Sequence, residues 1–387
     1  MTRDPIYIFS VLCLLIVASE WLARRQGFRH VGSALIVILL GALVANLGVI
    51  PAGSPPDAPI VVYDAIFSYV APLALFWLLL HVNLRNLLKV GLPMVGLFLA
   101  GSAGTLIGAV VAMRLINGNG AIGPFAGPVA GMFTGTYTGG GINFNAIALH
   151  YGVVREGALF AGATVVDNIV TTIWIVATLA VPRLFAVAWR RRARAAAPGA
   201  APPIVHLQDE IETIDPLQIA IVFALGAGAL WLSMQGTALV ARAGLQVPMI
   251  LIITTLALVL AQVPAVNRLP GPRVLGMWAV YLFLAVVGVF CDVRAMGGLG
   301  ALGLAILTFA MLTVTIHGLV IFLAAWLFRM DLAAAAVASQ ANVGGSTSAL
   351  ALAKSLGRED LLLPGILLGA LGNAIGTYLG FLAVTMV

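Results

Sequence analysis

Apolar runs of about twenty residues recur along this chain, more than any water-soluble core could bury. Ten of them, near 5–23, 31–50, 64–82, 90–114, 158–182, 215–235, 247–264, 274–291, 299–327 and 361–386, are predicted to be membrane-crossing helices. The warrant is length: at 1.5 Å per helical residue, each approaches a hydrocarbon core of about 30 Å. Charged residues make up 9% of the 387, where a soluble domain carries about 25%. An all-α polytopic membrane protein follows. The formal charge of +6 sits largely in short connections, which marks orientation and not a nucleic-acid partner. The opening segment has no small-residue cleavage site before Trp21 and reads as a retained first span.

Two segments break the apolar pattern, one in each half. They are Thr134-Gly-Thr-Tyr-Thr-Gly-Gly-Gly-Ile-Asn-Phe-Asn145 and Ser339-Gln-Ala-Asn-Val-Gly-Gly-Ser-Thr-Ser348. Open backbone and hydroxyls are tolerated at membrane depth only where protein buries them or where they line a cavity. The stretches holding them, 118–153 and 330–358, are each a discontinuous helix or a re-entrant hairpin. Positive charge favours hairpins. With the N-terminus outside, fifteen Lys and Arg fall on the inner side (Arg24, Arg25, Arg29, Arg85, Lys89, Arg183, Arg190, Arg191, Arg192, Arg194, Arg268, Arg273, Arg329, Lys354 and Arg358) and five outside. Full crossings would put the two arginine clusters on opposite faces.

The expected organisation is a first membrane repeat at 1–185, a cytoplasmic linker at 186–214 and a second repeat at 215–387. Each repeat has about five spans plus one glycine-broken helix, and an odd number of crossings inverts the second copy. An offset of 205 pairs Gly139-Gly140 with Gly344-Gly345, Asn168 with Asn373 and Thr172 with Thr377. The linker carries arginines, then Ala and Pro, then Asp209, Glu210 and Glu212 before Pro216 at a helix start.

Candidate chemistry gathers at the breaks. Gly139, Gly140, Gly344 and Gly345 free the chain to turn and expose carbonyl and amide groups. An extended approach would put Thr134, Thr136 and Thr138 on one side. Asn143, Asn145, Gln340, Asn342, Ser346, Thr347 and Ser348 add polar groups for a solute, and Ser346 or Thr347 can instead cap a helix. The plain alternative is tight helix packing through small residues. Asp167 is the most informative charge. An unpaired carboxylate deep in an apolar span is costly unless an ion, a proton or a partner compensates it. With Asn168, Asn373 and Thr377 it forms a candidate ion site for Na⁺ or H⁺. Glu20 reads as a boundary ion pair with Arg24, Asp292 and Arg294 as a loop pair, and His317 as a candidate proton relay. Five scattered histidines and the isolated Cys13 and Cys291 give no transition-metal spacing. No nucleotide or hydrolase motif appears, so the chain is read as a non-enzyme without an organic cofactor.

At these residues the chain resembles the YjcL-like family of bacterial membrane proteins of unknown function. The strings are Met132-Phe-Thr-Gly-Thr-Tyr-Thr-Gly-Gly140 with Asn143, Ala341-Asn-Val-Gly-Gly-Ser-Thr347, and Leu363 through Gly380. That family is in turn similar to bile-acid/sodium, glutamate/sodium and citrate/sodium symporters and to cation/proton antiporters. The resemblance implies a multi-pass protein of the bacterial inner membrane, a mobile core against a dimerising scaffold, and an ion at the breaks. The early spans 5–50 and 215–264 are the expected scaffold. The reading is Na⁺-coupled (or H⁺-coupled) symport of a small polar or anionic organic solute by a homodimer in the bilayer. A cation/proton antiporter and a passive channel or facilitator are the alternatives.

Overall fold

A computed structural model describes residues 3–25, 33–55, 59–84, 90–184, 215–242, 244–245, 247–291 and 299–387. The linker at 186–214 and the expectations on Arg29, Arg85, Lys89, Arg190 to Arg194, Asp209, Glu210, Glu212, Asp292 and Arg294 lie outside the described residues.

The first half runs α1 (Pro5–Ala23), α2 (Ser33–Asn46), α3 (Val61–Leu79), α4 (Leu92–Leu115), α5 (Ala126–Gly139), α6 (Gly141–His150) and α7 (Gly157–Leu184). The second runs α8 (Pro216–Arg242), α9 (Met249–Leu260), α10 (Pro272–Val289), α11 (Leu299–Leu327), α12 (Leu332–Val343), α13 (Gly345–Ser355) and α14 (Leu362–Met386). The order of long, short and paired helices recurs from one half to the other. This is an all-α polytopic membrane protein. Among the described residues, eight helices are long and apolar enough to cross a bilayer. Within them one of the ten expected spans, 247–264, falls short, and 31–50 is described only from Ser33. Where 247–264 was expected to cross, α9 has 12 residues, or about 18 Å. Gly48 in the left-handed region, with Pro51 beyond it, ends α2, and Pro248 and Pro264 bracket α9.

The chain forms two compact units, each drawing on both halves. One holds α1–α3, α8–α10 and residues 148–165. Its core is α10 against α2 and α3. The backbones approach through glycines: a methyl on Gly41 would stand 2.5 Å from the Ala285 carbonyl oxygen. Rings of Tyr63, Phe67, Phe283 and Phe290 meet edge to face. Glu20 does not pair with Arg24. It hydrogen-bonds Tyr281 on α10, while Arg25 stacks over Trp21. Burial against α10 offers Glu20 a donor that needs no exposed side chain to be held in place.

The other unit holds α4, α5, α12–α14 and residues 141–147, 166–184 and 305–327. Here both glycine-broken segments are helical hairpins. In the first, α6 folds back along α5: a methyl on Gly135 would lie 3.0 Å from Asn143 Cβ, and one on Gly131 would lie 3.2 Å from Ile147 Cγ2. In the second, Val337 of α12 and Ala349 of α13 both reach Gly365 of α14, at 3.0 and 3.2 Å from where its methyl would be.

Helix α14 is the rail on which both hairpins sit. Its glycines recur at 365, 369, 372, 376 and 380, and those of α5 at 127, 131, 135 and 139. Gly139 lies on Gly372, Gly135 by Gly376 and Gly131 by Gly380. The sum of paired numbers is constant, so the helices run antiparallel with backbones in contact, as small residues at every fourth position permit. Side chains on Gly139 and Gly372 would each overlap the other helix's backbone. Gly369 packs in the same way on Ser346 of α13. The first hairpin therefore lies along the C-terminal part of α14 and the second along its N-terminal part. They approach from opposite ends, and their tips meet near 369–372.

Candidate functional site

At the first tip the turn is made by Gly140, with φ 102° and ψ −179°, a conformation closed to side-chain-bearing residues. At the second, Gly344 ends α12 and Gly345, with φ 71°, starts α13. The tips touch: a methyl on Gly345 would stand 3.5 Å from the Gly139 carbonyl oxygen.

The three threonines before the first turn are not extended. Helix α5 continues to Gly139, stabilised by its packing on α14, so Thr134 and Thr138 share a face and Thr136 points elsewhere. Thr134 spends its hydroxyl on the Ala130 carbonyl at 2.8 Å. Thr136 hydrogen-bonds Asp167 on α7, and Tyr137 lies within electrostatic reach of the same carboxylate. Asp167 Oδ1 is buried without a hydrogen-bond partner. Asn168, the next residue, is on the exposed side of α7.

The two buried asparagines are committed to packing. Asn143 Oδ1 accepts from Thr377 Oγ1 at 2.8 Å, and its amide donates to the Gly372 carbonyl at 3.3 Å. Asn342 Oδ1 accepts from Ser102 Oγ at 2.8 Å, and its amide donates to the carbonyls of Phe98 and Ala338 at 3.1 and 3.2 Å. They staple their hairpins to α14 and α4. Asn145 is half-buried. Asn373 contributes its backbone to the contact with Gly139. Ser346 does not cap α13: its hydroxyl donates to the Ile366 carbonyl at 3.0 Å, and no side chain caps that helix. Thr347 is exposed and Ser348 half-buried.

Gln340 is completely buried. Its Oε1 accepts from Thr178 Oγ1 at 3.1 Å, and its Nε2 has no partner. Among the described residues, five buried side-chain polar atoms lack a hydrogen bond: Tyr137 OH, Thr138 Oγ1, Asp167 Oδ1, Gln340 Nε2 and Thr254 Oγ1. The first four belong to residues at or against the two tips. Native interiors leave few such atoms, so a cluster calls for an occupant.

Sequence reasoning singled out His317 but passed over the partners that make a frame around it. His317 is fully buried and reads as part of a directed chain. Trp174 Nε1 donates to Ser339 Oγ at 3.0 Å, Ser339 Oγ lies 2.9 Å from His317 Nε2, and His317 Nδ1 faces the Gly101 carbonyl at 2.8 Å. The carbonyl can only accept, so Nδ1 carries the proton and Nε2 accepts from Ser339. Thr105 joins Nδ1 at 3.0 Å and donates to the Tyr137 carbonyl at 3.0 Å. Ser102 and Thr105 gave no signal, because lone hydroxyls in an apolar helix usually bond their own turn. The i, i+3 and i+7 spacing of Gly101, Gly104 and Gly108, which seats α4 on α11, was legible.

At the base of the second hairpin, Arg358 pairs with Asp331, which caps α12, and with Asp360 at 2.7 Å. Its guanidinium is held above the ordinary arginine range, first by Asp360, and stays charged. Among the described residues no group of three His, Cys, Asp or Glu side chains is placed to hold a metal. A Na⁺ ion, which takes carbonyl and hydroxyl oxygens, needs no such group.

The match to known proteins covers the whole fold. Residues 7–387 fit the model of DUF819, described as a protein of unknown function. The chain is also 30% identical over 397 aligned residues to the uncharacterized membrane protein YjcL of Bacillus subtilis (strain 168), covering 98% of this chain and 96% of that one. Both hairpins and all fourteen helices lie essentially within these limits, and the chain belongs to the DUF819 family of membrane proteins.

Proposed function

We propose that this protein is a secondary active transporter, carrying a small polar or anionic organic solute by Na⁺-coupled symport through alternating access. One observation carries the reading: four unpartnered buried polar atoms belong to residues on or beside two glycine-broken hairpins whose tips touch. Hairpins entering from opposite ends of α14 are what two inverted repeats, 1–185 and 215–387 joined by a cytoplasmic linker, would produce. Short helices ending at mid-depth leave backbone groups that a membrane protein tolerates only beside a cavity or ligand.

In this mechanism Asp167 Oδ1, with the hydroxyls of Thr136, Tyr137 and Thr138 and carbonyls at Gly139 and Gly140, forms the acceptor set for the coupling cation. Gln340 and the start of α13 face the solute. The unit of α1–α3 and α8–α10 is the scaffold, through which a homodimer forms. The resemblance to sodium symporters and cation/proton antiporters agrees with this division of labour.

Uptake of labelled organic solutes into proteoliposomes, with and without an inward Na⁺ gradient, tests the reading. Concentrative uptake that requires the gradient is expected. Na⁺ efflux driven by a pH gradient with no solute would establish the antiporter instead. Uptake that never exceeds the outside concentration would establish a passive facilitator.

A further inference from the structure

We propose that the tip of the second hairpin is a carboxylate-binding site, formed by the side-chain amide of Gln340 and the backbone N–H groups of Gly345 and Thr347 at the start of α13. This rests on the carrier reading above and narrows its solute to one bearing a carboxylate.

The site is assembled from donors. Gln340 is fully buried, and its Oε1 lies 3.1 Å from Thr178 Oγ1, whose single hydrogen also has the Trp174 carbonyl within reach at 2.9 Å. The amide nitrogen lies beside Gly344 at the chain break, where it has no acceptor. An amide –NH2 only donates. A methyl on Gly344 would be 2.6 Å from both Gln340 Nε2 and Ser348 Oγ, so those two groups face the same small volume. At the same place α13 begins. Its cap is Gly344, with no side-chain acceptor. The first N–H groups, at Gly345, Ser346 and Thr347, therefore have no carbonyl within the helix; Ser346 N packs on Gly369 of α14, which leaves those of Gly345 and Thr347 for a ligand. Ser346 cannot compensate, since its hydroxyl is turned to Ile366. Eleven residues of helix stand behind these groups, and the positive end of its dipole favours an anion.

The two tips are also complementary in charge. Asp167 lies against the first hairpin and the donors lie at the second. A cation and a carboxylate bound together would satisfy both sets of orphaned atoms and neutralise each other. No arginine is required, which suits a site that must release its anion. Gly345 lies against the Gly139 carbonyl, so occupancy of either tip bears on the other.

The test turns Gln340 into its own ligand. Gln340→Glu keeps the acceptor for Thr178 and presents a carboxylate oxygen to the donors. Thermal melting of the purified protein in detergent is followed from pH 6 to pH 9 for wild type, Gln340→Glu and Gln340→Leu, with acetate and uncharged acetamide as probes. If the donors bind a carboxylate, the introduced group is ionised in the fold throughout this range. The difference in melting temperature between Gln340→Glu and wild type then stays flat with pH. An environment hostile to the anion would raise the introduced group's pKa. Gln340→Glu would then lose stability relative to wild type as pH rises, and the proposal falls. An acetate-specific shift in wild type that is absent from Gln340→Leu supports the site. One that persists unchanged in Gln340→Leu overturns it. Na⁺-dependent stabilisation of wild type is recorded alongside. If it is present while Gln340→Glu weakens with pH, the carrier reading stands and only the carboxylate assignment is lost.

Discussion

The first hairpin ends among oxygens, with Thr138 Oγ1 and Tyr137 OH on α5 and Asp167 Oδ1 beside them on α7. The second ends in a nitrogen that only donates, Gln340 Nε2, next to a helix start. Each hairpin is stapled by one buried asparagine, yet the anchors differ. Asn143 reaches α14, whereas Asn342 reaches α4. The backbones are alike in their seat on α14: Gly139 presses on Gly372 and Ser346 on Gly369. They differ in what a methyl at the turn would meet, the backbone of Gly372 for Gly139 but Gln340 Nε2 and the side chain of Ser348 for Gly344. Similar halves thus carry opposite chemistry: acceptors at one tip and a donor at the other.

The sharpest way to break this contrast is to add a methyl at each tip. Gly139→Ala would force apart two backbones and is expected to destabilise by more than about 3 kcal/mol, at the upper end for overpacking. Gly344→Ala meets the Gln340 amide, which can turn aside, and Ser348 Cβ, which moves only with α13, and is expected to lose about 1–3 kcal/mol. Folded yield and melting temperature compare them, and equal losses would mean that the tips are equally tight.

The asparagine staples come next. Asn342→Ala leaves Ser102 and two carbonyls of the α4–α12 contact without their partner, and Asn143→Ala strands Thr377. Losses of about 1–3 kcal/mol each are expected, larger for Asn342, because stranding a buried polar group costs its desolvation. A variant that keeps wild-type stability but loses ligand response would show that its asparagine faces the site instead.

Tyr137→Phe separates an orphaned hydroxyl from a ligand. Ring packing on Phe133, with centroids 5.5 Å apart, is retained. Without Na⁺ the melting temperature should stay level or rise slightly, since a buried unpartnered hydroxyl is removed. The Na⁺-induced shift should shrink. An undiminished shift would remove Tyr137 from the acceptor set. The smallest effect is expected at the base of the second hairpin. Arg358 and its partners are partly exposed, so Arg358→Ala should cost about 0.5–1 kcal/mol and less at high salt.

Much of this arrangement was legible in the chain. Apolar length alone located the eight helices that, among the described residues, are long and apolar enough to cross a bilayer, and the glycine pairs located both turns. The end of α9 was not legible, because apolar Ala261 and Val263 continue past Leu260, where the helix stops short of Pro264. The direction of side chains at the breaks was hidden for a different reason. Thr134, Thr136 and Thr138 alternate as a strand would, yet packing of Gly131, Gly135 and Gly139 on α14 keeps them helical. Polar residue type marked Asn143, Asn342 and Gln340 alike. Only tertiary partners separate the two that are used up by the fold from the one with a free end.

The central claim is that the oxygens at the first tip hold the coupling cation through Asp167. Thermal melting of wild type and Asp167→Asn in Na⁺ and in K⁺, at matched ionic strength, addresses it most directly. Asn preserves the size of the side chain and can still meet Thr136. The account predicts that Na⁺ raises the melting temperature of wild type above its value in K⁺, and that Asp167→Asn melts equally in both. A Na⁺-specific shift of wild-type size in Asp167→Asn would contradict it.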